Sequence, residues 1–360
     1  MGVHQSPARG AIDHEVTPKA APIPLSSAGP RGTLYEKMLT LSADTKVPSA
    51  VRTLAKAAAM SLAFENHPAK KHAPVRVLVH LWAWQLWRRT LRRPVTVELQ
   101  DGALLICPEW SALSGAVVSV GITDVAELSF VADVIREGEV VVDVGCNIGL
   151  YAVIAARRKA RVIAFDPTER ARAALLANAR LNGVESSIEC LPCALSDKNG
   201  RLRFTSGLDL GDHLVADGEQ DDSVASTEVE MRRLDDVLGA MPGHPLPRIL
   251  KVDAEGWDAA VLRGAEATIA RAQPLILVEV WQGGRELRAW LEERGYGVYA
   301  YDWEDGALRA LPQDFAAWQC NFICVHGARL EETRRLLALR TPRSLRLPRV
   351  RWIQSLPRNP

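Results

Sequence analysis

From residue 140 to residue 326 the chain alternates short apolar runs with amphipathic stretches. VVVDV, RVIAF, SIECLPCAL, RILKV, PLILV, YGVYAYD and QCNFICVH are rich in valine and isoleucine and too short for helices, so each predicts a strand. LYAVIAAR, ERARAALLANARLNG, LDDVLG, DAAVLRGAEATIARA and GRELRAWLEERG lie between them and predict helices. Thr168 is placed to cap the second of these, and Gly183 to end it. Strands alternating with helices predict a parallel sheet with helices on both faces. Right-handed crossovers bring the carboxyl ends of such strands to one rim, where ligands bind. YGVYAYD and QCNFICVH are expected to pair as closing antiparallel strands.

Upstream, Val95 to Val120 predicts short strands, with Asp101-Gly102 turning VTVEL into ALLICP. Glu127 to Arg136 predicts a short helix. Val75 to Arg93 predicts a helix carrying Trp82, Trp84 and Trp87 and ending in arginines. It is expected to pack on the domain, its arginines at the negative end of the helix dipole. The alternative is an interfacial helix touching a membrane or an apolar substrate carrier. Tyr35 to Glu65 is mildly helical, and residues 1–33, rich in Pro, Ala, Ser and Gly, predict a disordered tail. Leu208 to Asp222 predicts an exposed acidic loop, and Arg329 to Pro360 a solvated basic tail. The resulting division is a tail (1–33), a helical extension (34–94), a main domain (95–328, core from about residue 121) and a basic tail (329–360).

Composition narrows the function classes. The chain has 360 residues, 48% hydrophobic, with a net charge of +1, so global charge does not argue for a nucleic-acid partner. No run of eighteen apolar residues occurs and no membrane span is expected. With no apolar leader, the six cysteines read as reduced thiols and the location as cytoplasmic. Cys190 and Cys193 invite a zinc reading, but SIECLPCAL reads as a strand and the remaining pair, Cys320 and Cys324, lies in the other half of the sheet, so no metal site is expected there.

The chemistry gathers at strand ends. VVVDVGCNIGLY reads as a buried strand, a tight turn and a helix start, in the pattern D-x-G-x-N-x-G. Gly145 and Gly149 bracket the turn, and Asn147 is the non-glycine residue that best tolerates a positive φ. The dinucleotide spacing G-x-G-x-x-G is absent, which disfavours a nicotinamide dehydrogenase. Asp166 follows by about twenty residues, where an acid accepts ribose hydroxyls. Glycine turn and spaced acid together imply an adenosine-type cofactor. In ILKVDAEGWD, Lys251, Asp253 and Glu255 stand at alternate positions and would share one face of an extended strand, an expensive arrangement unless the charges are paired or used. Glu279 closes another strand.

DVGCNIG, AFDP, NARLNG, CALSDKNG, KVDAEG and LVEV, in this order and spacing, resemble the FkbM-type S-adenosylmethionine-dependent methyltransferases over roughly Gly121 to Val325. The family often has Ala at the place of Cys146 and Glu at that of Asp166. The resemblance implies a Rossmann-like class I methyltransferase fold, a mostly parallel seven-stranded sheet with helices on both faces and an antiparallel closing strand. It implies methyl transfer from S-adenosylmethionine, most often to a hydroxyl of a sugar, polyketide or other small metabolite. It places Asp143, Gly145, Asn147 and Gly149 at the amino-acid end of the cofactor, Asp166 at the ribose, and Leu195 and Asp197 beside the adenine. Asp253 is then the first choice of base, followed by Glu255 and His213, with Lys251 holding the carboxylates or stabilising an alkoxide. A metal-assisted route through Asp253, Glu255 and Glu279 is a minor alternative. An RNA or protein methyltransferase, suggested by the arginine tail, and a non-catalytic binding protein are the competing functions.

Overall fold

The computed structural model describes residues 48, 51, 67–205, 226–280, 283–312, 321–340 and 346–352. Two helices, α1 (Pro68–His72) and α2 (Pro74–Thr90), lead into the hairpin of β1 (Val95–Glu98) and β2 (Leu104–Cys107). Helices α3 (Ala112–Val120) and α4 (Val125–Val134) follow. Then come β3 (Val140–Val144), α5 (Leu150–Arg157), β4 (Arg161–Phe165), α6 (Glu169–Leu181), β5 (Ile188–Leu191), β6 (Ala194–Leu195), β7 (Gly200–Thr205) and β8 (Ser226–Arg232). The chain continues through α7 (Leu234–Ala240), β9 (Pro247–Val252), α8 (Asp258–Arg263), α9 (Glu266–Ala272), β10 (Leu275–Val278), α10 (Gly284–Glu292), β11 (Tyr296–Asp302) and β12 (Ala307–Ala310). It closes with β13 (Phe322–His326), α11 (Gly327–Ala338) and β14 (Arg349–Arg351).

The main sheet has eight strands in the order β12-β11-β13-β10-β9-β3-β4-β5. The five from β10 to β5 are parallel, and β13 lies antiparallel between β10 and β11. This is the mostly parallel sheet with an antiparallel closing strand that the resemblance implies, with β12 added as an eighth strand on its edge. Strand order reverses between β3 and β9, and a ligand crevice opens at such a switch point. Alternate residues of each parallel strand serve opposite faces. Val141 packs towards α5 and α6, whereas Val142 and Val144 join Leu250, Val252 and Leu234 on the other side.

Four local readings differ from the structure, each for a physical reason. Ala112–Val120 is a helix rather than strand; it is buried nearly all round, so no polar face marks its period. SIECLPCAL is two strands, because Pro192 has no N–H for the ladder; β6 leaves the main sheet and pairs in parallel with β8. The helix expected over residues 258–272 breaks at Gly264, where a Cβ would lie 1.9 Å from the Ser196 carbonyl oxygen. Part of the segment read as a solvated tail is packed: α11 buries Thr333, Leu336 and Leu337, β14 pairs with β1, and Trp352 lies 5.5 Å from Trp87. The closing strands β11 and β13 pair as expected, and Trp84 of α2 is buried in the main core. Residues 1–33, most of Tyr35–Glu65 and the Leu208–Asp222 loop fall outside the described residues.

Candidate active site

The turn after β3 is fixed by close packing. Gly145 has φ +71°, and a Cβ there would sit 1.9 Å from the Asp253 carbonyl oxygen, so any side chain would push β9 away. Asn147 adopts φ +47° as the sequence suggests, and Gly149 is left-handed at the head of α5. No side chain caps α5, whose first turn therefore presents backbone N–H groups at the positive end of its dipole.

Asp166, at the end of β4, is tied to this turn. Its Oδ2 accepts from the Asn147 N–H at 3.1 Å, and its Oδ1 accepts from the N–H and hydroxyl of Thr168. Burial outweighs those bonds and raises its carboxyl above the usual range. Cys146 and Cys190 are neighbours behind the turn; their contact, then burial, pushes the Cys146 thiol well up.

The centre of the site is Lys251. Its Nζ lies 3.4 Å from Asp143 Oδ1 and 3.2 Å from Asp253 Oδ2, and donates to the carbonyls of Val144 and Gly145. The Tyr151 ring stands 5.3 Å away. Burial disfavours the ammonium, but Asp253 and Asp143 more than offset it, and Lys251 stays charged. Register explains the pairing: Asp143 and Lys251 are lateral partners on adjacent strands, both facing α5. Asp143 is only 1% exposed and burial raises its carboxyl, so Lys251 is what keeps its charge tolerable.

Asp253 differs, because its side chain is 38% exposed. Burial works against its charge, yet Lys251 and a hydrogen bond with Glu279 hold it below the usual carboxylate range. Glu255 does not share its face. Strand β9 ends at Val252, and Glu255 sits in the following turn with φ +48°. Asp258 holds that turn, accepting from the N–H groups of Ala254 and Gly256; burial raises its acid to about 6.

Leu195 lies 2% exposed in the core, and Asp197 pairs with Arg263 at 3.2 Å on the neighbouring rim. His213 lies outside the described residues. Among the described residues no three of His, Cys, Asp and Glu converge as a metal's ligands do.

Three residues of the cluster escape sequence reasoning. Tyr151, the second residue of α5, donates its hydroxyl to Asp124 Oδ2 at 3.2 Å. Asp124 is half-buried before α4, and its acid is raised by burial and by Asp253. Glu127, one turn on, is pushed up to about 8 by burial and then by Asp124. Their spacing, D-x-x-E ahead of an apolar helix, is a helix-start signature, which is how a linear reading takes it.

Glu127 carries a pH prediction. Its folded acid titrates near 8 against an ordinary 4.5, so between those values the folded protein holds a proton that the unfolded chain has lost. The contribution is full below pH 4.5 and disappears as pH rises through 8. Thermal melts at pH 5 and pH 8 should show a smaller fall for Glu127→Gln than for the wild type. Equal falls would assign the titration elsewhere.

These residues suit S-adenosylmethionine, a cation with an amino-acid end and a ribose. An uncapped helix start meets a carboxylate, and Asp166 has lone pairs left for hydroxyls.

Residues 143–298 match the family described as the methyltransferase FkbM domain. Methyltransferase sdnD of Sordaria araneosa is 29% identical over 190 residues, covering 44% of this chain and 73% of that protein. Methyltransferase 1 of Beauveria bassiana (strain ARSEF 2860) is 26% identical over 180 residues, covering 44% and 72%. Among solved structures, the methyltransferase FkbM from Methylobacillus flagellatus KT aligns with a TM-score of 0.38 at 16% identity, over 69% of this chain and 60% of that one.

Proposed function

We propose, from the premise that residues 143–298 are an FkbM-type methyltransferase domain using S-adenosylmethionine, that the chain methylates a hydroxyl oxygen of a small or carrier-linked metabolite. The observation that carries this reading is Asp253, an ionised and partly exposed carboxylate beside the cofactor turn and fixed by Lys251. When bound, the cofactor supplies a methyl group already activated by its positive sulfur. What is left for the protein is orientation and removal of the acceptor's proton.

Gly145 and Gly149 bring backbone close to the amino-acid end of the cofactor, and Asp166 takes the ribose. Lys251 is a positioning residue: its four oxygen contacts leave it holding Asp143 and Asp253 rather than giving up a proton. Asp253 accepts the hydroxyl proton. Its depressed acidity makes it a weak base, and a weak base suffices because an alcohol becomes strongly acidic only as the new C–O bond forms. Asp124 is the next candidate acceptor, its carboxyl raised above the usual range by burial and then by Asp253, and held by Tyr151.

Incubation with methyl-labelled S-adenosylmethionine and a cell extract, followed by identification of the product, tests the reaction class. A methyl ether on a small metabolite is the expected product. Label on nitrogen or carbon, or in RNA or protein, would replace the proposal.

The ribose assignment has its own test. Asp166→Ala should weaken cofactor affinity about tenfold or more in calorimetric titration, the size of a lost hydrogen bond to a charged group. Unchanged affinity would leave Asp166 as a turn residue only.

A further inference from the structure

Helix α2 shows apolar residues to the core and to the outside at once. Val77, Leu81 and Trp84 are buried against the domain. On the opposite side Val75, Val79, Trp82 and Leu86 are 73%, 57%, 43% and 65% exposed. At 3.6 residues per turn these four fall within an arc of about 60°, a continuous stripe along the helix. A shallow apolar groove of about 460 Å³ begins at its amino end, lined by Ala73, Pro74, Val75, Arg76, Val79 and His80. Apolar positions scattered singly over a surface need no explanation, but an aligned stripe does.

The charge around the stripe is of one sign. No Asp or Glu occurs from residue 67 to residue 97, in a chain whose net charge is only +1. Lys71 and Arg76 lie exposed at one end, and Arg89, Arg92 and Arg93 at the other. Arg89 is folded back onto the Gln85 carbonyl and side chain, alongside the stripe. An apolar helix face bearing a tryptophan and framed by lysine and arginine is the composition that lies in the plane of an anionic bilayer surface.

We propose that α2 docks this chain on an anionic lipid surface, with Val75, Val79, Trp82 and Leu86 entering the headgroup–acyl boundary and the flanking basic residues contacting lipid phosphates. The surface explains both halves of the pattern: an apolar partner covers the stripe, and negative headgroups match the cations. A protein partner with an apolar groove would cover the stripe but gives no reason for the one-sided charge. None of the stripe's residues belongs to the methyl-transfer site, which lies at the carboxyl ends of β3 and β9. It would hold the enzyme where acceptors of apolar character gather.

The full chain is tested by flotation with phosphatidylcholine vesicles, with and without about 30% phosphatidylserine, a mixture that raises the negative surface potential. Binding to the anionic vesicles should exceed binding to the neutral ones about tenfold or more, and should fall steeply at about 0.5 M salt, where screening shortens the reach of charge. Trp82→Glu/Leu86→Glu should abolish flotation while the affinity for S-adenosylmethionine and the melting temperature stay as in the wild type. Arg89→Gln/Arg92→Gln should lower it several-fold per charge removed. The proposal is overturned by absence of binding to anionic vesicles, by equal binding to neutral ones, or by wild-type flotation of the Trp82/Leu86 variant. It is equally overturned if sedimentation shows that the stripe closes a dimer that dissociates in that variant.

Discussion

Asp253→Asn should lose methyl transfer by about 10²- to 10⁴-fold, the usual weight of a positioned base, while S-adenosylmethionine binds within about threefold of the wild type. The amide keeps the shape of the carboxylate and an oxygen for Lys251, so fold and cofactor site should survive. It cannot accept the acceptor's proton. Transfer of label from S-adenosylmethionine in extract, set beside calorimetric binding, separates the two effects. Wild-type turnover would remove Asp253 from the reaction and move attention to Asp124.

Lys251→Met should have the largest effect on stability. It leaves Asp143, 1% exposed, buried without its counter-ion, and breaking such a pair costs about 3–5 kcal/mol. In a domain of this size that lowers the melting temperature by roughly 8–15 °C. The double variant Lys251→Met/Asp143→Leu should recover most of the loss, since two apolar side chains replace a buried pair at little penalty. A double variant as unstable as the single one would show that Lys251 acts through its carbonyl contacts or Asp253 instead.

The sheet was legible because its strands are covered on both faces, and such strands announce themselves as short, mostly apolar runs: VVVDV, RVIAF, RILKV and PLILV are β3, β4, β9 and β10. The glycine turn was legible for a similar reason, since Gly145 and Asn147 mark positive φ wherever the fold places them. The helix Ala112–Val120 was not, because burial on nearly every side erases amphipathic contrast. Lys251, Asp253 and Glu255 look equivalent at alternate positions. Only the end of β9 at Val252 and the reversal at Glu255 separate a clamp, a base and a turn residue. Asp124 and Tyr151 meet through the packing of α4 on α5, and nothing in their spacing distinguishes them from helix-start residues.

Pairing of β14 with β1 sets a temporal order on assembly. Thr96, Val97 and Glu98 find their partners in Arg351, Val350 and Arg349, near the far end of the chain. During synthesis from the amino terminus, this edge of the hairpin waits until every strand of the main sheet has been made. Its unsatisfied N–H and C=O groups are then open to chaperones or to a neighbouring nascent chain for most of translation. Joining contacts so remote in sequence carries a loop-closure penalty that the core must already be formed to overcome, so this small sheet should be a late-folding part of the molecule.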